Sequence, residues 1–481
     1  MNSQPSLYWH DYETFGADPR RDRAAQFAGI RTDEQLNIIG EPLMLYCRPA
    51  PDFLPHPESV LITGITPQQC LKLGVPEVEF IGRIHEQLAQ PGTCGVGYNT
   101  LRFDDEFTRN LLYRNFYDPY SREWQNGCSR WDILDMLRLT RALRPEGIEW
   151  PQHADGKPSF KLEHLTQANG LQHEAAHDAL SDVYATIAVA RLVKTRQPRL
   201  YDYVYQLRDK RKVAEQLDLL QPKPVLHISG MYPAERGCLA LVLPLARHPV
   251  NANEVIVFDL AADPAPLFEL DAEAIRGRLF TRSGELPQGQ QRLPLKTIHI
   301  NKCPIVASAK LLTPEVAERW QIDLALVRSH WQRLQGHELQ PKLAEVFATP
   351  QREPISDPDL MIYSGGFFGA RDKASIARIR TTAPQELARS RFQFDDPRLA
   401  QMLFRYRARN YPETLEPAER AEWEDYRAWR LTDPAGGAGI VLDDFLALIE
   451  TLAAADGCSP ADRSLLEQLM QYAEAVVPEA G

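Results

Sequence analysis

The chain has no stretch approaching the ~20 apolar residues needed to cross a bilayer, and no N-terminal segment that joins a basic start to an apolar run. A membrane-spanning protein and a secreted one are therefore not expected, and the chain is read as soluble and cytoplasmic. It also lacks CxxC spacing. Its seven cysteines (Cys47, Cys70, Cys94, Cys128, Cys238, Cys303 and Cys458) are scattered, and an odd number cannot pair completely within one chain. They are expected as buried or incidental thiols, which argues against a disulfide scaffold and against a zinc site. No internal repeat or low-complexity tract is present. Positive charge is in short supply: 54 Lys and Arg against 65 Asp and Glu leave a formal net charge of -11. Taken alone, that balance argues against a nucleic-acid partner. The inference fails if the charges are segregated, so their placement matters more than their sum.

What is present is length and pattern. At 481 residues the chain exceeds one ordinary core, and 44% hydrophobic residues suffice to fold two to four domains. The opening "LYWHDYETFG" reads as a strand, followed by a hairpin in "AAQFAGIRTDEQLNIIGEPLMLYC". Next come a helix in "PEVEFIGRIHEQLAQ", with Phe80, Ile81, Ile84 and Leu88 at helical spacing, and a short apolar run "TCGVGYN". Further helical patterns follow at "DEFTRNLLYRNF", "RWDILDMLRLTRAL", "KLEHLTQANG" and "DALSDVYATIAVARLVKT". This order predicts an α/β domain with a helix-covered mixed sheet over residues 1–196. Short β-type runs broken by Pro and Gly ("CLALVLPLA", "EVIVFDLA", "LKTIHINKCPIVA") predict a β-rich domain over 197–352. After the proline-bearing linker "ATPQREPISDPDL", helical patterns predict a C-terminal helical domain over 353–481.

Three acidic motifs carry the chemistry. Asp11 and Glu13 lie two apart on a strand and so face the same way. Asp104 stands in "GYNTLRFDDEF", and His177 and Asp182 in "EAAHDALSDVYATIAV". Each has a plain alternative: a solvent-facing strand pair, a helix N-cap, a satisfied surface histidine. Together, at the ends of elements assigned to one sheet, the carboxylates would repel one another unless a cation sat among them. Hard divalent metals such as Mg²⁺ take oxygen ligands at about 2.0–2.1 Å, and two such ions ~3.5–4 Å apart can clamp both oxygens of a phosphodiester exchange. Asp178 is placed to cap the following helix, with Asp182 one turn inside. His177 would then hang on a loop, free to take a proton from water.

The motifs in order, the DxE, the N…FD from Asn99 to Asp104 and the HxxxxD, resemble the DEDDh 3′→5′ exonucleases with an RNase H-like fold. The match goes further: "HDYETFG", "VLITGITP", "GYNTLRFDDE", "RNFYDPY", "RPEGIEWP", "AHDALSDVYATIA", "KTRQPR", "HINKCP" and "FRYRARNYP" resemble the bacterial exonuclease I family over almost the whole chain. That resemblance implies an RNase H-like nuclease domain, an SH3-like β-rich domain and a helical C-terminal domain. It implies a magnesium-dependent enzyme, with manganese as a substitute, that removes 5′-mononucleotides processively from the 3′ end of single-stranded DNA in repair and recombination. Asp11, Glu13, Asp104 and Asp182 become metal ligands, His177 the general base, and Glu13 and Lys161 contacts to the nucleotide. Asp105 is excluded, its expected role being a cap or a partner for basic neighbours. An oligoribonuclease-type or proofreading exonuclease is the alternative.

Basic residues interleave with aromatics in "RLYDYVYQLRDKRK" and "FRYRARNY", a pattern that suits a sequence-indifferent groove for single strands as well as an amphipathic helix with core aromatics. Arg405, Arg407 and Arg409 are the candidates for its far wall. The resemblance further implies a partner, the acidic C-terminal tail of single-stranded DNA-binding protein, with Arg144 and Tyr203 as candidate contacts, and a monomeric enzyme.

Overall fold

The computed structural model describes residues 5–172, 178–348 and 355–478. It resolves into two compact units, one of Met1–Ser129, Glu174–Tyr184 and Glu353–Gly481, the other of Arg130–His173 and Ala185–Arg352. None of the described helices is long and apolar enough to cross a membrane.

In the first unit the opening strand β1 (Ser6–Thr14) pairs antiparallel with β2 (Ala24–Thr32), which pairs antiparallel with β3 (Ile38–Tyr46). On its other edge β1 runs parallel to β4 (Thr93–Gly97). Within this unit the sheet order is β3-β2-β1-β4, the mixed sheet expected from the hairpin and the helical crossover; the short strand β5 (Ser129–Asp132) follows later in the chain. The alternation along β1 explains its composition. Tyr8 and Tyr12 enter a core with Phe27, Leu111, Leu112 and the four apolar residues of helix Glu77–Leu88 named above. Leu7, Trp9, Asp11 and Glu13 face the other way, where Trp9 Nε1 donates to Thr32 Oγ1 at 2.9 Å.

The C-terminal helices complete this unit's cores. Phe445, Ile449, Leu466, Leu469 and Tyr472 pack with Phe15, Phe53 and Val60, while Ile379, Leu399, Met402 and Tyr406 pack with Tyr113 and Phe116. Each such burial contributes about 1.5–3 kcal/mol. A buried ion network lies in the same unit. Asp52 Oδ2 accepts from Arg409 Nε at 3.0 Å and Nη2 at 2.9 Å, and Arg409 Nη2 also reaches Asp359 Oδ2 at 2.7 Å. Arg405 bonds Asp357 and Asp359, and Arg407 holds Glu419 at 2.6 and 2.9 Å.

These contacts correct two expectations. The three arginines are not laid out along a groove: their side chains are 4–6% exposed, because a guanidinium this deep stays charged only when carboxylates surround it. The stretch "DPDL" does not act as a free linker either, since Asp357 and Asp359 are members of that network. Burial opposes ionisation of Asp52, but Arg409, Arg23 and Arg430 outweigh it and hold the carboxyl well below the usual range. Arg409 and Arg405 do the same for Asp359.

The second unit contains a five-stranded antiparallel sheet, β6 (Val225–Ile228), β7 (Leu239–Arg247), β8 (Glu254–Asp259), β9 (Leu295–His299) and β10 (Ile305–Ser308), in the order β10-β6-β7-β8-β9. Pro244 lies at the one register shift in β7, where a missing N–H breaks no regular ladder. The aromatics of "RLYDYVYQLRDKRK" turn inward: Tyr201 and Tyr205 pack on Trp131, and Arg208 stacks 3.5 Å over the Tyr205 ring.

Candidate active site

The site is assembled around the C-terminal end of β1. The last parallel pair between β1 and β4 is Trp9–Val96, and beyond it the β4 side of β1 pairs with no strand among the described residues. There the backbone N–H of Tyr12, which lies between Asp11 and Glu13, donates to Asp104 Oδ1 at 3.0 Å. The chain reaches Asp104 by a sharp turn after β4. Gly97 leaves no room for a Cβ, which would sit 2.8 Å from the His10 carbonyl, and Asn99 takes φ 62°, a left-handed conformation that asparagine tolerates better than most residues. Asp104 then opens the helix Asp104–Arg114, and Thr108 of that helix bonds the Tyr12 hydroxyl at 3.0 Å. A register shift between Glu13 and Thr14 ends the regular β1–β2 ladder beside the site, a common use of a bulge.

Asp182 comes from the helix Ala179–Arg196. Asp178 caps it: its Oδ2 accepts from Ser181 N at 3.2 Å, and its carbonyl accepts from Asp182 N at 3.0 Å. Ligand oxygens of Asp11, Glu13 and Asp182 all lie within 4.8 Å of one another. Burial, then the charges of Asp182, Asp104 and Asp178, push Glu13 up to about 8. Asp11 is raised well above its ordinary value by loss of solvent and by Asp104, Glu13, Asp182 and Asp178. Among the described residues, the charged groups that raise both are carboxylates, and counted over those residues the cluster has a deficit of positive charge. An all-oxygen donor set with that deficit fits a hard divalent cation, and Asp11, Glu13, Asp182 and Asp104 are the residues present to hold it.

The remaining sequence candidates fall elsewhere. His177 lies outside the described residues. Asp105, adjoining Asp104, is buried against Arg122, whose Nη2 donates to its Oδ1 at 2.5 Å. Lys161 is exposed and paired with Glu163 at 3.4 Å. Arg144 is exposed and its Nη1 donates to the Leu143 carbonyl at 2.6 Å. Tyr203 is half-buried, its hydroxyl donating to Val306 O at 2.7 Å. Gln26 was not among the candidates; its only sequence signal is one amide inside the apolar strand "AAQFAGI".

Comparisons with known proteins place this geometry. A family model described as Exonuclease matches residues 8–190, one described as Exonuclease I SH3-like domain matches 208–349, and one described as Exonuclease I C-terminal domain matches 356–476. Exodeoxyribonuclease I of Escherichia coli strain K12 is 47% identical over 476 residues, covering 98% of each chain. Among solved structures, a moderately thermophilic exonuclease I from Methylocaldum szegediense is 56% identical with a TM-score of 0.94 over 98% of this chain and 100% of that one. Escherichia coli exonuclease I in complex with a dA16 oligonucleotide is 46% identical with a TM-score of 0.95 over the same shares. An oligoribonuclease from Alkalilimnicola ehrlichii is 28% identical and covers 41% of this chain.

Proposed function

This chain belongs to the exonuclease I family, and from that premise we propose that it is a 3′→5′ exodeoxyribonuclease that degrades single-stranded DNA processively and releases 5′-mononucleotides. The observation that carries the reading is the gathering of Asp11, Glu13 and Asp182, with Asp104 bonded to the amide between the first two. Asp11, Glu13, Asp104 and Asp182 are the ligands of two Mg²⁺ ions, for which Mn²⁺ substitutes. Bound there, such ions supply charge stabilisation to the entering and leaving oxygens of a phosphodiester.

This chain's own residues do the rest. Glu13 also contacts the terminal nucleotide. His177, the covalent neighbour of the capping Asp178, takes a proton from the attacking water as that oxygen bonds to phosphorus and the bond to the 3′ oxygen of the penultimate nucleotide breaks. The released nucleotide keeps its 5′-phosphate, and the shortened strand gains a proton from solvent and ends in a 3′-hydroxyl. Lys161 meets a backbone phosphate. Its ion pair with Glu163 is at the surface, worth about 0–1 kcal/mol, so exchanging partners costs little. Repeated hydrolysis without release needs many sequence-indifferent contacts away from the hydrolytic centre, a reason for the segments beyond the nuclease domain.

The enzyme acts as a monomer in the cytoplasm, in DNA repair and recombination. It docks the acidic tail of single-stranded DNA-binding protein, with Arg144 meeting a carboxylate and the Tyr203 ring an apolar side chain. Matched 5′-labelled single-stranded DNA, duplex DNA and RNA oligomers, digested with Mg²⁺, test the substrate. Shortening of single-stranded DNA from its 3′ end is expected. Equal digestion of RNA would favour the oligoribonuclease-type alternative.

A further inference from the structure

Gln26 stands on β2 directly opposite Glu13 in the strand register, and cross-strand partners share a face. It is 1% exposed, an uncommon place for a glutamine, and a buried amide must find partners. Its Oε1 accepts from the backbone N–H of Ala179 at 3.2 Å. Its Nε2 donates to Asp178 Oδ1 at 3.2 Å and to the Tyr46 hydroxyl at 3.2 Å, which Gln69 Nε2 also reaches at 3.2 Å. This orientation is the one the partners allow, since turning the amide over would set its NH₂ against an N–H and its carbonyl against a carboxylate.

The arrangement divides the work of Asp178. One carboxylate oxygen caps the helix at Ser181 and the other is held from β2, while the Asp178 carbonyl bonds the Asp182 amide. Asp178 is thereby kept as a cap, although it lies near enough to act on Asp11 and Glu13. The helix turn that presents Asp182 is thus tied to the strand beside Glu13, at the residues that directly follow His177 in the chain.

We propose that Gln26 is a positioning residue of the carboxylate centre, fixing the start of the Asp182 helix against the strand pair that carries Asp11 and Glu13. The proposal rests on the hydrolytic reading of that centre. Outer-shell partners of metal-binding carboxylates typically change metal affinity or activity by about 10–100-fold when removed.

The test uses the full chain with Gln26→Met, which keeps length and loses all three hydrogen bonds, and Gln26→Glu, which keeps an acceptor for Ala179 and sets a carboxylate against Asp178. Four quantities are measured: kcat and KM on a single-stranded oligomer, Mg²⁺ affinity by calorimetry, amide hydrogen exchange over residues 178–184, and the melting transition. Expected in both variants are a kcat about 10–100-fold lower with KM within about twofold, weaker Mg²⁺ binding and a cooperative melt. Exchange at the Ala179 amide should quicken in Gln26→Met. Parental kcat and Mg²⁺ affinity in either folded variant would overturn the proposal, even with faster exchange. If the parent itself releases no nucleotides from single-stranded DNA, the hydrolytic reading fails, while the exchange and Mg²⁺ measurements still decide whether Gln26 holds the helix start.

Discussion

Replacing Arg409 by alanine separates a structural arginine from a DNA-binding one. Arg409 bridges two carboxylates, with Asp52 at 2.9 and 3.0 Å and Asp359 at 2.7 Å, and its side chain is 5% exposed. Breaking a buried ion pair by removing one partner costs about 3–5 kcal/mol. Here the orphaned carboxylates keep other company: Asp52 retains Arg430 at 3.5 Å and Arg23 at 3.9 Å, and Asp359 retains Arg405 at 3.2 Å. The loss should therefore fall near the lower end of that range, about 3 kcal/mol. Trp423 is buried, with the Arg409 guanidinium 6.0 Å from its ring, so its fluorescence in a urea titration reports on the affected region. Single-encounter digestion of a long labelled strand with excess trap, run where the variant is folded, should give the parental product ladder. A variant as stable as the parent that nevertheless shortens the ladder would refute the assignment and return Arg409 to the DNA groove.

Three further outcomes are expected. His177→Ala should lose about 10²–10⁴-fold in kcat with Mg²⁺ affinity little changed and the acid limb of the pH–rate profile gone; a limb that persists rules the histidine out as the titrating base. Asp52 and Asp359 have depressed carboxyl pKa values in the folded chain, so their contribution is complete above the unfolded value of about 3.9 and is lost as pH falls below it; urea midpoints measured from pH 5 to pH 3 should fall, and less steeply in Asp52→Asn. Tyr203→Phe should bind the acidic tail peptide as the parent does, because its hydroxyl is already engaged by Val306 O, whereas Arg144→Ala should bind it more weakly; equal binding by Arg144→Ala and the parent would remove Arg144 from the docking site.

The parts legible in the sequence are those governed by local spacing. The two-residue period of β1 puts Asp11 and Glu13 on one face, and the helical period of Phe80, Ile81, Ile84 and Leu88 buries all four. The capping role of Asp178 is equally local. What stayed hidden depends on partners far along the chain. The arginine and aromatic pattern of 404–411 says which residues share a helix face but not what covers it, and the cover includes Asp52, 357 positions before Arg409. Gln26 meets Asp178 across 152 positions, and no local pattern announces that contact. The strand β5 is four residues long, too short for an alternation to register.

Titrating Mg²⁺ into the parent and into Asp182→Asn, while following heat and the release of 5′-mononucleotides from a single-stranded oligomer, addresses the carboxylate centre most directly. The parent should bind the ion and release nucleotides, and the variant should lose both while still binding the strand. A variant that binds Mg²⁺ as tightly as the parent and releases nucleotides at the parental rate would show that Asp182, and the centre built around it, is not where the phosphodiester is cut.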